Sequence, residues 1–262
     1  MQRRAVLVSV AILAASCLPS AADEPRQLRV LSYNIHHGAG VDGKLDLQRI
    51  ADVIVKCKPD VVALQEVDKK TTRSGGVDQA AELGRLTNMR AEFGKAMDYA
   101  GGQYGVAILA RHPLTDMHVH TLPFTEGREP RAALQAGVEA DGDGPGFVLI
   151  ATHLEHADRE LRLAQAQALG DIVPQQDAVA FLVGDLNAVP GSPPINALLR
   201  RWTDASAKEP QPTWPADQPR VRIDYVLYRP ATAWRVVASQ VIDERVASDH
   251  RPLLVVLERV AP

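Results

Sequence analysis

AVAFLVGDLN, residues 178–187, runs apolar for six residues, passes a glycine, and turns polar at Asp185 and Asn187. An unbroken apolar run of this length containing Val179, Phe181 and Val183 reads as a strand buried on both faces, with its polar end delivered to an edge of the core. Working outward, the same construction recurs. QLRVLSYNI (27–35) carries Asn34 at its end, DVVALQEV (60–67) closes in Gln65 and Glu66, and FVLIATHL (147–154) delivers His153. Strands that are apolar through the core and polar at one tip are what a sheet shows when its ends line a common site.

Between these strands the periodicity changes. Asp46 stands where a helix N-cap belongs, and Leu47, Ile50, Ile54 and Cys57 then recur on one helical face until Lys58-Pro59 stops the run. VDQAAELGRL (77–86), RELRLAQAQALGDIV (159–173) and PPINALL (193–199) also read as helices. AEFGKAM, YGVAILAR, MHVHTL, RAALQAGVEA, RIDYVLY, WRVVASQVI and PLLVVLE read as further strands. HHGAGVDGK (36–44), DKKTTRSGGVDQ (68–79), MDYAGGQYG (97–105) and the proline-rich PQPTWPADQP (210–219) read as loops. Alternating helices and strands followed by runs of strands predict mixed α/β layering, sheets inside and helices outside.

At 262 residues without a repeat or a low-complexity tract, the chain can bury a full core. A hydrophobic share of 46% with 23% charged residues argues against disorder and against a membrane bundle. MQRR, the apolar run AVLVSVAILAASCL and PSAA match a signal peptide over residues 1–22, leaving residues 23–262 as one domain in the periplasm or outside the cell. Arg3-Arg4 leaves a twin-arginine route open and Cys17 a lipoprotein route, although Ala14 stands where a lipoprotein signal usually has a branched aliphatic. The apolar run is short for a membrane span. Cleavage removes two arginines and no acid, taking the formal charge from −3 to −5, so no basic patch advertises nucleic acid. Cys57 is then the remaining cysteine; it has no disulfide partner and reads as a buried thiol. A monomer is expected.

Singly, each polar tip has a plain structural reading: Asn34 as a turn former, Glu66 as an exposed strand end, His153 as a core histidine, Asp249-His250 as a capping pair. Together, Asn34, Glu66, His153, Asp185, Asn187, Asp224, Asp249 and His250 form a chemically coherent set. Cleaving a phosphate ester calls for a hard cation on the phosphoryl oxygens, and carboxylate and amide oxygens suit Mg²⁺ or Mn²⁺. It also calls for a base to take the proton of attacking water and for donors aimed at developing charge. An acid beside a histidine fixes its tautomer and raises its basicity.

The order SYNIHHG, ALQEVD, ATHLEH, VGDLNAVPGS, RIDYVL and ASDHRPL, spanning about residues 28 to 258, resembles the endonuclease/exonuclease/phosphatase superfamily, which includes deoxyribonuclease I. The resemblance implies a four-layered α/β sandwich, two central mixed sheets packed face to face with helices outside. It implies Glu66 as the principal metal ligand, with Asn34 and Asp249 in or near its shell. His250 would activate water, Asp185 and Asn187 would orient it and bind the phosphoryl group, and His153 would stabilise the transition state or assist the leaving group. Which of Asp185 and His250 is the base stays open, and Asp224 would hold a histidine or shape the base's surroundings. Arg131, directly before AAL, is favoured over Arg128 as the phosphate-contacting arginine, and Tyr104 is either a phosphate contact or a core residue.

The resemblance fixes reaction type and not substrate. The expected activity is hydrolysis of a small or lipid-derived phosphoester with Mg²⁺, Mn²⁺ being possible. A secreted nuclease is the alternative, and a silent binding protein a second one. His36 and His37 are expected on opposite sides of a continuing strand, too far apart to chelate together, with His37 reaching substrate. Lys69, Lys70 and Arg73 could meet a second anionic group, but three charges in a polar loop are more often solvated, and that reading is favoured.

Overall fold

The computed structural model describes residues 27–139, 146–172 and 178–260; the signal-peptide reading, with Arg3, Arg4 and Cys17, lies outside them. Two six-stranded sheets form the centre. In chain order the strands are β1 (Gln27–Asn34), β2 (Val61–Lys69), β3 (Arg90–Tyr99), β4 (Gly102–Ala110), β5 (Leu114–Thr121), β6 (Ala132–Val138), β7 (Phe147–His153), β8 (Ala180–Asp185), β9 (Thr203–Asp204), β10 (Asp224–Arg229), β11 (Trp234–Val241) and β12 (Leu253–Arg259). One sheet has the order β11-β12-β1-β2-β4-β3 and the other β5-β6-β7-β8-β10-β9. Each is mixed: β1–β2 and β7–β8 are parallel pairs, and their other neighbours run antiparallel.

The pleat sorts side chains into layers. Val30, Ala63 and Ile108 of the first sheet meet Leu134, Leu149, Phe181, Val183 and Val226 of the second in an apolar core between the sheets. The opposite face of the first sheet, with Leu31, Val62 and Leu64, packs on the helices α1 (Leu47–Cys57) and α2 (Gln79–Thr87) through Ile50, Ile54, Cys57 and Leu83. The outer face of the second sheet, with Ile150, Leu182 and Leu227, takes α3 (Arg159–Gly170) and α4 (Pro193–Leu198) through Ala166, Leu169, Ile195 and Leu198. This is the expected four-layered sandwich, with strands apolar on both faces because both are covered. Asp46, Asp78 and Asp158 cap α1, α2 and α3, each carboxylate accepting a first-turn backbone N–H. Cys57 is buried, and burial raises its thiol pKa.

Two loop readings change. MDYAGGQYG is a tight β3–β4 hairpin whose two turn residues, Ala100 and Gly101, both have positive φ (46° and 77°), the twist a two-residue hairpin turn requires. The second strand does not stop at its polar tip; it continues to Lys69 past a bulge between Leu64 and Val67.

Candidate active site

Register places the second sheet's contribution. Asp185, the last residue of β8, pairs with His153 at the end of β7 on one side and with Asp224 at the start of β10 on the other. Gly184 is required just before it, since a Cβ there would sit 1.9 Å from the Thr152 carbonyl oxygen. From the first sheet, Asn34 ends β1 beside Gln65. Glu66 occupies the β2 bulge with φ 56°, so the irregularity turns its carboxylate out of the ladder. His250 arrives on the segment before β12, where Ser248 Oγ donates to the Asn34 carbonyl at 2.7 Å and ties that segment to β1.

A hydrogen-bond network links the two sheets. The Asn34 amide nitrogen donates to Glu66 Oε1 (3.0 Å) and to Asp185 Oδ2 (3.2 Å), while Asn34 Oδ1 accepts the His36 backbone N–H (3.0 Å). That fixed donor sets the amide's orientation, so Asn34 presents nitrogen, not oxygen, to the carboxylates. Asp185 Oδ1 accepts the Asn187 N–H at 2.9 Å. His250 Nδ1 lies 3.0 Å from Asp224 Oδ2 and its Nε2 3.6 Å from Asp185 Oδ2. The carboxylate that holds His250 is therefore Asp224. Asp249 is half-buried, its Oδ1 3.4 Å from Ser248 Oγ, whose hydrogen goes to the Asn34 carbonyl.

Arg131, nearly fully buried, contacts His153 Nδ1 at 2.8 Å and pairs with Glu129 at 2.8 Å. A guanidinium only donates, so His153 Nδ1 accepts and the ring hydrogen resides on Nε2. That Nε2 is 3.1 Å from the Asn187 amide nitrogen and 3.5 Å from Asp185 Oδ2. The Asn187 amide nitrogen donates to the Leu154 carbonyl at 3.0 Å, and the Nε2–H lies beside Asp185 Oδ2. Burial, and then Arg131, hold the His153 pKa well below the ordinary range, keeping the ring a neutral donor.

The acidic core behaves differently. Burial acts to lower the His250 pKa, but Asp224 and Asp185 outweigh it and lift it to about 10. Burial raises Asp185 to about 7 against the opposing pull of His250. Asp185, Asp224 and His250 lie close enough to share a cation. With both ring nitrogens directed at carboxylates, however, the geometry is that of a buried acid–imidazolium–acid array.

These groups floor a cleft of about 300 Å³ lined by Glu66, Tyr104, Arg131, His153, Asp185, Asn187 and His250. Tyr104 is buried there, and burial raises its phenol pKa well above the usual value. Arg128 instead sits at the surface facing Asp158 at 3.7 Å. A hollow of about 500 Å³ around Leu45, Leu47 and Val77 holds none of the residues of this network.

Five further residues line the cleft beyond the sequence candidates: Arg73, Met97, Tyr99, Glu129 and His156. Arg73 corrects the solvated reading of its loop: it donates twice to buried Asp68 (2.8 and 2.9 Å) and lies over the Tyr99 and Tyr104 rings at 4.6 and 5.4 Å. The expectation for His36 and His37 is also overturned. The strand ends at Asn34, and both histidines enter a left-handed turn (φ 45° and 46°) that brings their rings to 4.5 Å, edge to face, beside Glu66. Burial, then Arg73, then His36 hold the His37 pKa down to about 4.

Two sheets whose ends deliver carboxylates, imidazoles and amides to one cleft define the deoxyribonuclease I-like class of α/β sandwich. The chain belongs to the Endonuclease/Exonuclease/phosphatase family, whose pattern matches residues 31–250. Members of this superfamily are phosphoester hydrolases and typically depend on a divalent metal. Over 240 residues, 86% of this chain and 94% of the relative, it is 25% identical to the uncharacterized protein YbhP of Escherichia coli (strain K12). Among solved structures it resembles an endonuclease/exonuclease/phosphatase from Beutenbergia cavernae DSM 12333, with TM-score 0.72 and 29% identity, covering 89% of this chain and 72% of that one. It also shares its fold with the mannosyl-6-phosphatase Bt3783 of Bacteroides thetaiotaomicron VPI-5482, with TM-score 0.73 and 18% identity, covering 89% and 100%.

Proposed function

We propose that this chain is an exported, divalent-cation-dependent hydrolase of small or lipid-derived phosphoesters, with Mg²⁺ or Mn²⁺ at Glu66. The observation that carries the reading is the single network joining Asn34 and Glu66 to Asp185, His153, Asn187, Asp224 and His250 at the floor of one cleft. Glu66 fits a cation ligand. It forms no ion pair among the described residues, and its one hydrogen bond among them, from Asn34, steadies the carboxylate. Bound there, a divalent cation supplies charge neutralisation for the phosphoryl oxygens.

The protein's own groups divide the remaining work. Asp185, held by the Asn187 N–H and the Asn34 amide, ionises near neutrality and takes the proton of the attacking water. His250, charged and clamped by Asp224, sits 3.6 Å from Asp185 and offsets negative charge as it develops. His153, fixed as a neutral Nε2–H donor by Arg131, holds that hydrogen beside Asp185, and Asn187 lines the same cleft. Asn34, whose amide nitrogen donates to Glu66, would orient that ligand. Asp249, half-buried next to His250, stays a candidate ligand.

A cleft of about 300 Å³ has room for a compact head group, and a net charge of −3 does not favour a polyanion. Among the described residues no helix is long and apolar enough to cross a membrane. Export rests on residues 1–22 and is tested by N-terminal sequencing of the protein recovered from cell fractions. Substrate class is tested with sugar phosphates, glycerophosphodiesters and lysophospholipids beside supercoiled plasmid DNA. Turnover of the small esters without nicking supports the reading; nicking at comparable rates replaces it with a nuclease.

A further inference from the structure

Ligand atoms of His36, His37 and Glu66 all lie within 4.8 Å of one another. The sequence alone gave no reason to group them, because adjacent residues of a strand diverge. The turn after β1 changes that: His36, His37 and Gly38 all have positive φ (45°, 46° and 80°), and Glu66, across from them, has φ 56°. Three neighbouring non-glycine residues in the left-handed region carry strain that their surroundings must hold in place. The Asn34 side chain takes the His36 N–H, Gln79 Nε2 donates to the His37 carbonyl at 2.7 Å, and the Asp46 N–H donates to the Gly38 carbonyl at 2.9 Å.

The rings are prepared in a specific way. His36 Nδ1 lies 3.1 Å from the Ala39 carbonyl oxygen, which only accepts, so Nδ1 carries the hydrogen and Nε2 keeps its lone pair. An imidazole whose far nitrogen donates to a backbone carbonyl is the arrangement found behind metal-bound histidines. Among the described residues His37 Nδ1 is buried without a hydrogen-bond partner, an unmet polar atom within the same group of side chains. Two imidazoles and one carboxylate form a donor set that Mg²⁺, with its demand for oxygen, does not favour and that borderline first-row ions do.

We infer that His36, His37 and Glu66 form a binding site for a divalent transition-metal ion, giving the cleft a nitrogen-ligated cation position beyond the all-oxygen site expected from the sequence. The inference rests on the reading of Glu66 as a cation ligand, and it assigns the two histidines a place in metal selection. Asn34 then serves both sides, through Oδ1 to the His36 N–H and through its amide nitrogen to Glu66.

The test uses Co²⁺ as the probe on the full chain stripped of metal. Visible d–d absorption reports nitrogen ligation and calorimetry reports affinity, with Mg²⁺ titrated in parallel. The variants are the double variant His36→Asn/His37→Asn, chosen because asparagine tolerates the left-handed backbone, each single variant, and Glu66→Gln. Co²⁺ should bind at least ~10-fold more weakly in the double variant, the lower end for loss of a metal-supporting group, with altered d–d bands and Mg²⁺ affinity close to the parent's. If the double variant does not fold by circular dichroism, the single variants give the same readout. Unchanged Co²⁺ affinity and spectrum in the histidine variants, with both lost in Glu66→Gln, overturns the histidine site and leaves Glu66 as a ligand. No change in any variant overturns both readings.

Discussion

Replacing Asp224 with asparagine removes one negative charge from beside His250 while keeping an oxygen that can accept from Nδ1, 3.0 Å away. The charged centres of such a pair are about 4 Å apart, and at an effective dielectric of about 20 their attraction is about 4 kcal/mol. That corresponds to about 3 pH units. The imidazole held up to about 10 in the parent should therefore titrate near neutrality in Asp224→Asn. Hydrolysis should then lose its charged His250 in the same range where Asp185 ionises, about 7, leaving a narrow and low pH–rate profile. The change has a structural cost as well. Among the described residues Asp224 Oδ1 has no hydrogen-bond partner, so an amide nitrogen placed there would be a buried unmet donor costing about 1–3 kcal/mol. The assay is an NMR titration of the His250 Cε1–H in EDTA-treated protein, with His250→Gln to assign the signal. A midpoint in Asp224→Asn within about half a pH unit of the parent's would refute this electrostatic account, however activity behaved.

Three other outcomes follow from the same geometry. Because the folded-state pKa of His250 is raised, its stabilising contribution is complete below its unfolded value of about 6.5 and disappears as pH rises through about 10. Thermal melts should show Tm falling across that window in the parent, and less so in His250→Gln. Arg131→Gln should release the tautomer of His153 and lower kcat by ~10-fold or more with a smaller change in KM; steady-state kinetics on a soluble ester would reveal a purely structural role if kcat stayed level. Gly184→Ala forces a Cβ to 1.9 Å from the Thr152 carbonyl and should cost at least about 1–3 kcal/mol by urea unfolding; an unchanged midpoint would mean that β7 and β8 part without cost.

What the sequence disclosed, and what it hid, follow from two kinds of physics. Strands such as Ala180–Asp185 and Phe147–His153 were legible because an apolar run ending in Asp or His is written directly in residue order. Their convergence was legible as a set, since the motifs following one another along the chain resemble a family. The β2 bulge was not legible: it is a one-residue slip against β4 that leaves composition and alternation almost unchanged. The same holds for the turn at His36-His37, where non-glycine residues adopt left-handed backbone because Asn34, Gln79 and Asp46 hold it. Arg73 was misjudged because its loop looks uniformly polar, while its partners Asp68, Tyr99 and Tyr104 are assembled by the β2–β4–β3 pairing.

The central claim is that cation-dependent phosphoester cleavage runs through Asp185. It is tested most directly by following bis-p-nitrophenyl phosphate with metal-stripped parent and Asp185→Asn side by side, before and after Mg²⁺ or Mn²⁺ and again with excess EDTA. The account predicts turnover in the parent that appears with the cation, disappears with EDTA, and is lower by at least ~10²-fold in a folded Asp185→Asn. Turnover indifferent to the cation, or retained in the variant, would contradict it.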